Sequence, residues 1–173
     1  DRVKYWRNTG TRQAPQWTLA DSALVVLTRG SNTTPTLADL DGDGDLDLFV
    51  GEASGQVNFF RNVGSRTASK FELVTDVFQD IDVGRRSTPA FADLTGDGKV
   101  DLLLGSEDGG VQLWRNVSGA TGLRFERDTS FALPSGPYSS VAAADLDGDG
   151  RLDIIVGTTS GGLLYFAGAA GGR

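Results

Sequence analysis

The chain repeats itself, and the length of the repeat limits its possible folds more than any other feature. The segment 35–62 (PTLADLDGDGDLDLFVGEASGQVNFFRN) aligns without a gap on 89–116 (PAFADLTGDGKVDLLLGSEDGGVQLWRN), and half of the aligned positions are identical. A third copy, 141–168, follows the second at nearly the same offset and also matches the first at half of its positions. The same ruler reaches the start of the chain. Tyr5-Trp6-Arg7-Asn8 stands one period before Phe59-Phe60-Arg61-Asn62, and Trp17, Phe71 and Phe125 are each one period apart. A match this regular marks a repeat protein.

Each period reads as four short strands. A first segment (36–38, 90–92, 142–144) enters an Asp/Gly-rich loop. A second (46–50, 100–104, 152–156) ends at Gly51, Gly105 and Gly157. The third (57–61, 111–115, 163–166) is entered through a Gly-containing turn. The fourth falls at 71–74, 125–127 and around 17–19. No window long enough for a helix keeps a 3.6-residue period, so helices are not expected. Four strands per unit and a period in the fifties predict an all-β chain, a β-propeller of four-stranded antiparallel blades with about three blades per chain. The chain then divides into the last two strands of a blade (1–34), two full repeats (35–88 and 89–140) and a partial third (141–173).

Three loops carry the candidate chemistry. They run Asp39-Leu40-Asp41-Gly42-Asp43-Gly44-Asp45-Leu46-Asp47, then Asp93-Leu94-Thr95-Gly96-Asp97-Gly98-Lys99-Val100-Asp101, then Asp145-Leu146-Asp147-Gly148-Asp149-Gly150-Arg151-Leu152-Asp153. Oxygen-bearing side chains stand at loop positions 1, 3, 5 and 9. Position 7 varies as Asp45, Lys99 and Arg151, the indifference expected of a residue that offers only its backbone carbonyl. Gly44, Gly98 and Gly150 hold position 6, where a chain wrapping an ion must turn sharply. Hard oxygen donors in this number describe Ca²⁺ better than Mg²⁺, which keeps its waters and demands octahedral order. Asp-Gly pairs are also ordinary turn residues. Turns do not need crowded carboxylates, however, and two like charges about 4 Å apart repel by roughly 4 kcal/mol at an effective dielectric of about 20. The expected cofactor is therefore Ca²⁺, about three per chain, with the second loop one carboxylate poorer because Thr95 replaces an Asp. Three ions would bring the formal charge from −7 to −1. An EF-hand fits worse, because its position 12 is Val50, Leu104 or Val156 rather than Glu. A nonapeptide β-helix would have a far shorter period.

Composition excludes several classes. The chain has no cysteine and no histidine among its 173 residues, which removes disulfide scaffolds, the usual zinc sites and Cys- or His-based catalysis. A charge of −7 argues against a nucleic-acid binder with a basic face. No apolar run approaches the roughly 20 residues of a membrane-spanning helix. The start at Asp1 and the lack of any methionine suggest a processed product or an excised piece.

The pattern A-D-L-D-G-D-G-x-x-D-(I/L)-x-V-G, followed by G-x-V-x-(F/Y)-(F/W)-x-N, resembles the FG-GAP/VCBS repeat, the blade unit of integrin-α-like β-propellers. That resemblance covers essentially the whole chain. It implies that each calcium loop joins the innermost strand of a blade to the second one. By position, the ligands would be Asp39, Asp41, Asp43, the Asp45 carbonyl and Asp47, with Asp93, Thr95, Asp97, Lys99 and Asp101, and Asp145, Asp147, Asp149, Arg151 and Asp153, as their equivalents. It also implies an extracellular or secreted setting and roles in adhesion, protein or carbohydrate binding, or as an accessory domain of a secreted enzyme.

About three blades are too few to close a ring, which typically needs four to eight. The expectation is either a piece of a longer propeller or two copies joined head to tail into a ring of about six blades. A catalytic role is not expected, because the only paired carboxylates are those a cation would occupy. A lectin is the alternative: Trp6, Phe60, Trp114 and Phe166 recur at equivalent third-strand positions and could stack on sugars, although packing between blades accounts for one aromatic per blade better. Arg7, Arg61 and Arg115, with Asn8, Asn62 and Asn116, read as strand-end and turn residues. N-x-S/T sequons begin at Asn32 and Asn116.

Overall fold

A computed structural model describes residues 2–27, 30–120 and 122–169. Residues 170–173, the end of the expected partial repeat, lie outside the described residues. The elements in chain order are β1 (Arg2–Asn8), β2 (Trp17–Val26), β3 (Thr34–Ala38), β4 (Asp47–Gly51), β5 (Val57–Asn62), β6 (Phe71–Thr75), a 3-10 turn (Phe78–Asp80), β7 (Thr88–Ala92), β8 (Asp101–Gly105), β9 (Val111–Asn116), β10 (Phe125–Leu133), β11 (Ser140–Ala144), β12 (Asp153–Gly157) and β13 (Leu163–Phe166). They form four antiparallel sheets: β1-β2, β3-β4-β5-β6, β7-β8-β9-β10 and β11-β12-β13. The chain is all-β, its sheets are meanders of the propeller-blade kind, and the ring is not closed.

Register repeats from sheet to sheet. Ala38 pairs with Asp47, Ala92 with Asp101 and Ala144 with Asp153, so each acidic loop is the hairpin between a first and a second strand. The first strands start earlier than the apolar pattern predicts, and those of the two full repeats take in Pro35 and Pro89. Each lies at the edge of its sheet, where a residue without an N–H is tolerated. These edges are neighbours across sheets: Thr34 Oγ1 donates to the Ser87 carbonyl and Thr88 Oγ1 to the Ser139 carbonyl, both at 2.8 Å. The approach is close enough that a Cβ on Gly51 or Gly105 would stand 2.2 Å from those same carbonyl oxygens, which explains a glycine at the end of each of these second strands. The outermost strands β2 and β10 run longer than expected, and their registers slip where the pairing bulges.

The core lies between sheets, as strand alternation requires. Leu48, Val50 and Phe60 face β1-β2 and bury Val3, Val25 and Leu27. The opposite face of the same sheet, with Phe49, Val57 and Phe59, meets Leu102, Leu104 and Phe125. Leu103, Val111 and Leu113 then meet Val141, Ile154 and Val156. Phe78, which the sequence pattern did not single out, inserts from the connection after β6. Its ring lies 5.1 Å from Phe49 and 5.6 Å from both Phe59 and Phe125.

Candidate metal centres

The strands deliver each loop from the same end of its hairpin, and the loops fold alike because their glycines permit it. Gly42 and Gly44 have φ of 76° and 88°, Gly96 and Gly98 70° and 82°, and Gly148 and Gly150 80° and 82°. A Cβ at any of the six would meet nothing within 4 Å, so the left-handed backbone, and not crowding, requires glycine there. Sequence reasoning found this need at position 6; the structure adds position 4.

Position 1 organises the turn. Asp39 Oδ1 accepts from the Gly42 N–H at 2.8 Å and its Oδ2 from Gly44 at 3.0 Å. Asp93 does the same with Gly96 (2.8 Å) and Gly98 (2.9 Å), and Asp145 with Gly148 (2.8 Å) and Gly150 (3.0 Å). Position 5 accepts from the N–H of position 7: Asp43 from Asp45 at 2.8 Å, Asp97 from Lys99 at 2.9 Å, Asp149 from Arg151 at 2.8 Å. These bonds curl the backbone so that acidic side chains converge. One carboxylate oxygen each from Asp39, Asp41 and Asp43 lie within 4.8 Å of one another, and so do those of Asp145, Asp147 and Asp149. The second loop contributes only Asp93 and Asp97, since Thr95 stands between them.

Oxygens on opposite sides of a calcium ion, each bound at about 2.3–2.6 Å, stand roughly 5 Å apart. The spacing in the first and third loops therefore fits a single ion, and the donor set is entirely hard oxygen. Side chains at position 7 differ in what they do. Lys99 Nζ donates to the Ser118 carbonyl at 2.7 Å and leaves the acids alone. The Arg151 guanidinium instead pairs with the Asp149 carboxylate, and its Nε donates to the Gly168 carbonyl at 2.9 Å.

Position 9 stands apart from both three-acid groups. Asp47, Asp101 and Asp153 are buried, and each accepts at 2.8 Å from a backbone N–H at or just past the end of the strand that follows: Asn62, Asn116 and Gly168 respectively. The second oxygen of Asp101 takes the N–H groups of Leu94 (3.1 Å) and Thr95 (3.2 Å), and that of Asp153 takes Leu146 (3.0 Å). The first and third loops differ electrostatically here. The Asp153 carboxyl is lowered below its ordinary range, by the Gly168 and Leu146 N–H groups first and with Arg151 assisting. Asp47 is raised, by burial first and then by the charges of Asp41 and Asp43, against the Asn62 N–H and Arg61. A cation among Asp39, Asp41 and Asp43 would offset that repulsion.

The other residues singled out from sequence are placed as follows. Phe60 is 4% exposed within an inter-sheet core, and Trp114 and Phe166 pack against the next two cores; Trp6, at the equivalent position of the first sheet, is 50% exposed. Asn8 and Asn62 each accept two backbone N–H groups across the loop that follows, from Gly10 and Gln16 and from Gly64 and Lys70. Asn116 is a buried brace of the same kind: it accepts from Ser118 N and donates to the Val100 carbonyl, both at 3.0 Å, which commits the amide of its sequon. Asn32 is exposed.

A family model for the FG-GAP-like repeat matches residues 39–104 and again 93–156. The chain belongs to that family. It is also 33% identical, over 110 residues, to cartilage acidic protein 1 of Xenopus tropicalis. The match covers 62% of this chain and 16% of that protein, so the chain spans a small part of its relative.

Proposed function

We propose that the chain is a calcium-stabilised β-propeller module whose role is binding or assembly, not catalysis. The observation that carries the calcium reading is the convergence of Asp39, Asp41 and Asp43, and of Asp145, Asp147 and Asp149, to single-ion spacing. In each full site the ion is held by positions 1, 3 and 5 and by the carbonyl of position 7, while position 9 braces the hairpin from outside the three-acid group. In the first loop the oxygen of Asp47 that the Asn62 N–H does not take is available to the ion as well. The Asp93, Thr95, Asp97, Lys99, Asp101 loop holds a third, weaker ion. Bound calcium supplies positive charge that lets the acidic hairpins keep their shape, and through them ties each first strand to the second. The relative's name places that protein in cartilage, which agrees with an extracellular setting for this module too. Sites of extracellular modules bind calcium at about 10⁻⁴ to 10⁻³ M.

Self-assembly is supported by the outer faces of the arc. Leu163 and Tyr165 are exposed, whereas their equivalents Val111 and Leu113 are buried against the next sheet. Trp6 is exposed where Phe60 is buried. A second copy, placed head to tail, would cover both faces.

Thermal unfolding with calcium and with excess chelator tests the calcium reading. Ligand at about 100 times its dissociation constant adds about 2.7 kcal/mol per site, and about 2–4 °C of Tm accompanies each kcal/mol in a chain of this size. With two full sites occupied, chelation should lower Tm by roughly 10–20 °C. Asp43→Ala and Asp149→Ala should each remove more of the calcium-dependent shift than Thr95→Ala. Identical melting in both buffers, with no calcium found by elemental analysis, would refute the reading.

A further inference from the structure

At the end of the first strands opposite the acidic loops lies a second site, which the calcium reading does not use. A cavity of about 310 Å³ opens there between the entrances to β3, β7 and β11. It is lined by three residues related by the repeat, Asn32, Arg86 and Tyr138, and all three hold left-handed backbone, with φ of 56°, 50° and 57°. The turn itself is built by the fold: the Arg86 N–H donates to the Ala53 carbonyl at 3.2 Å, and at the equivalent place the Tyr138 N–H donates to the Glu107 carbonyl at 3.0 Å. Glycine would take this conformation at least cost, and asparagine tolerates it. An arginine and a tyrosine do not suit it, and residues held in such backbone cluster at functional sites.

The side chains say what kind of group the site takes. The Arg86 guanidinium carbon lies 5.1 Å from the centre of the Tyr138 ring, which preorganises its planar fork. Its Nε faces Glu107 at 3.7 Å, but the same carboxylate also meets Arg85 at 3.4 Å, so one anion is shared between two cations. Among the described residues, the Arg86 Nη groups donate no hydrogen bond. The hydroxyls of Thr34 and Thr88 are committed to carbonyls across the sheets. The Asn32 Nδ2 gives one N–H to Ser31 Oγ at 3.2 Å, so what remains for a ligand is the guanidinium fork beside the second amide N–H and a phenol, a set that matches a carboxylate. Because Arg86 covers one face of Tyr138, that ring offers little to a sugar. Each first strand runs the length of five residues, about 16 Å, and that length separates the pocket from the acidic loops.

We propose that this pocket binds the carboxylate of an acidic peptide side chain, with Arg86 as the anchor and Asn32 and Tyr138 flanking it. The inference deepens the binding role proposed above by naming the partner's chemistry, and it does not depend on calcium occupancy.

The test is a heteronuclear NMR titration of the whole chain in saturating calcium, following the Arg86 Nε–H and Asn32 side-chain amide signals. The probe is acetyl-Gly-Asp-Gly-amide, with its Asn counterpart and glucuronate as separate arms. Saturable shifts with the Asp peptide, absent with the Asn peptide and weakened about tenfold or more by Arg86→Gln, are expected. Arg86→Lys keeps the charge without the fork and should also bind more weakly, which keeps the test decisive if Arg86→Gln folds poorly. No saturable shift at these signals, undiminished binding by both variants, or binding of glucuronate alone would overturn the proposal. Peptide shifts that persist while chelation leaves melting unchanged would remove the calcium reading and support this one; the reverse pattern would remove this site alone.

Discussion

At the scale of single residues, equivalent positions carry different electrostatic loads, and the differences are testable. Asp128 on β10 accepts from Ser130 through both its N–H (2.9 Å) and its hydroxyl (2.6 Å), and pairs with Arg115. These partners, the Ser130 bonds first, lower its carboxyl from 3.8 to about 2. A depressed carboxyl contributes stability that is complete above the unfolded value and is lost as pH falls through the folded one. Asp128→Asn should therefore melt lower than the native chain at pH 7, and the gap should close between about pH 4 and pH 2. A gap that stays constant across that interval would contradict the assignment. Arg151 offers a second comparison, because its guanidinium occupies the Asp149 carboxylate where Lys99 turns away. Replacing it by alanine should tighten calcium binding at the third loop by roughly two- to fivefold, the range of an exposed ion pair. Titration calorimetry reads this directly, and unchanged or weaker affinity would count against calcium contact by Asp149.

At the scale of elements, each hairpin is held from two sides. The acidic loop closes the first and second strands, and its ninth residue, buried as Asp47, Asp101 or Asp153, accepts from the backbone at the end of the third strand. The loop is thus coupled to three strands. The connection after β6 does similar work by a different route. Phe78 is 2% exposed and fills the space between two sheets, ringed by Phe49, Phe59 and Phe125. Phe78→Ala should cost about 3–5 kcal/mol. That corresponds to a fall in Tm of roughly 10 °C for a chain of this length. A loss of under about 1 kcal/mol by denaturant titration would show that the 76–83 connection is not part of the core. Nothing in the local pattern marks Phe78, because a single aromatic in an irregular connector has no period to reveal which way it points.

At the scale of the whole molecule, three inter-sheet cores lie in series, and each of the two four-stranded sheets serves two of them through its opposite faces. Stability is then shared between neighbours, as in other repeat proteins, and the outermost faces are the ones left open. Solution mass by light scattering tests whether a second copy covers them. A dimer of twice the 18.2 kDa chain mass is expected, and Leu163→Lys or Trp6→Lys should shift it toward monomer. An 18.2 kDa particle at all concentrations would refute self-assembly.

The repeat, its strand order and the acidic loops were legible in the residues themselves, because they depend on short-range chemistry. Alternation with period two assigns faces, glycine supplies left-handed backbone, and carboxylates spaced two apart crowd without help from distant segments. Matters that depend on approach across strands and sheets emerged from the folded chain. Folding engaged position 9 with a backbone brace, turned the Asn116 amide inward, extended first strands through Pro35 and Pro89, and drew Phe78 into the core. It also gathered Asn32, Arg86 and Tyr138, far apart in sequence, around one pocket. The physical reason is the same in each case: a hydrogen bond or a contact between segments distant along the chain leaves no periodic trace in it, since its partner is chosen by packing rather than by spacing.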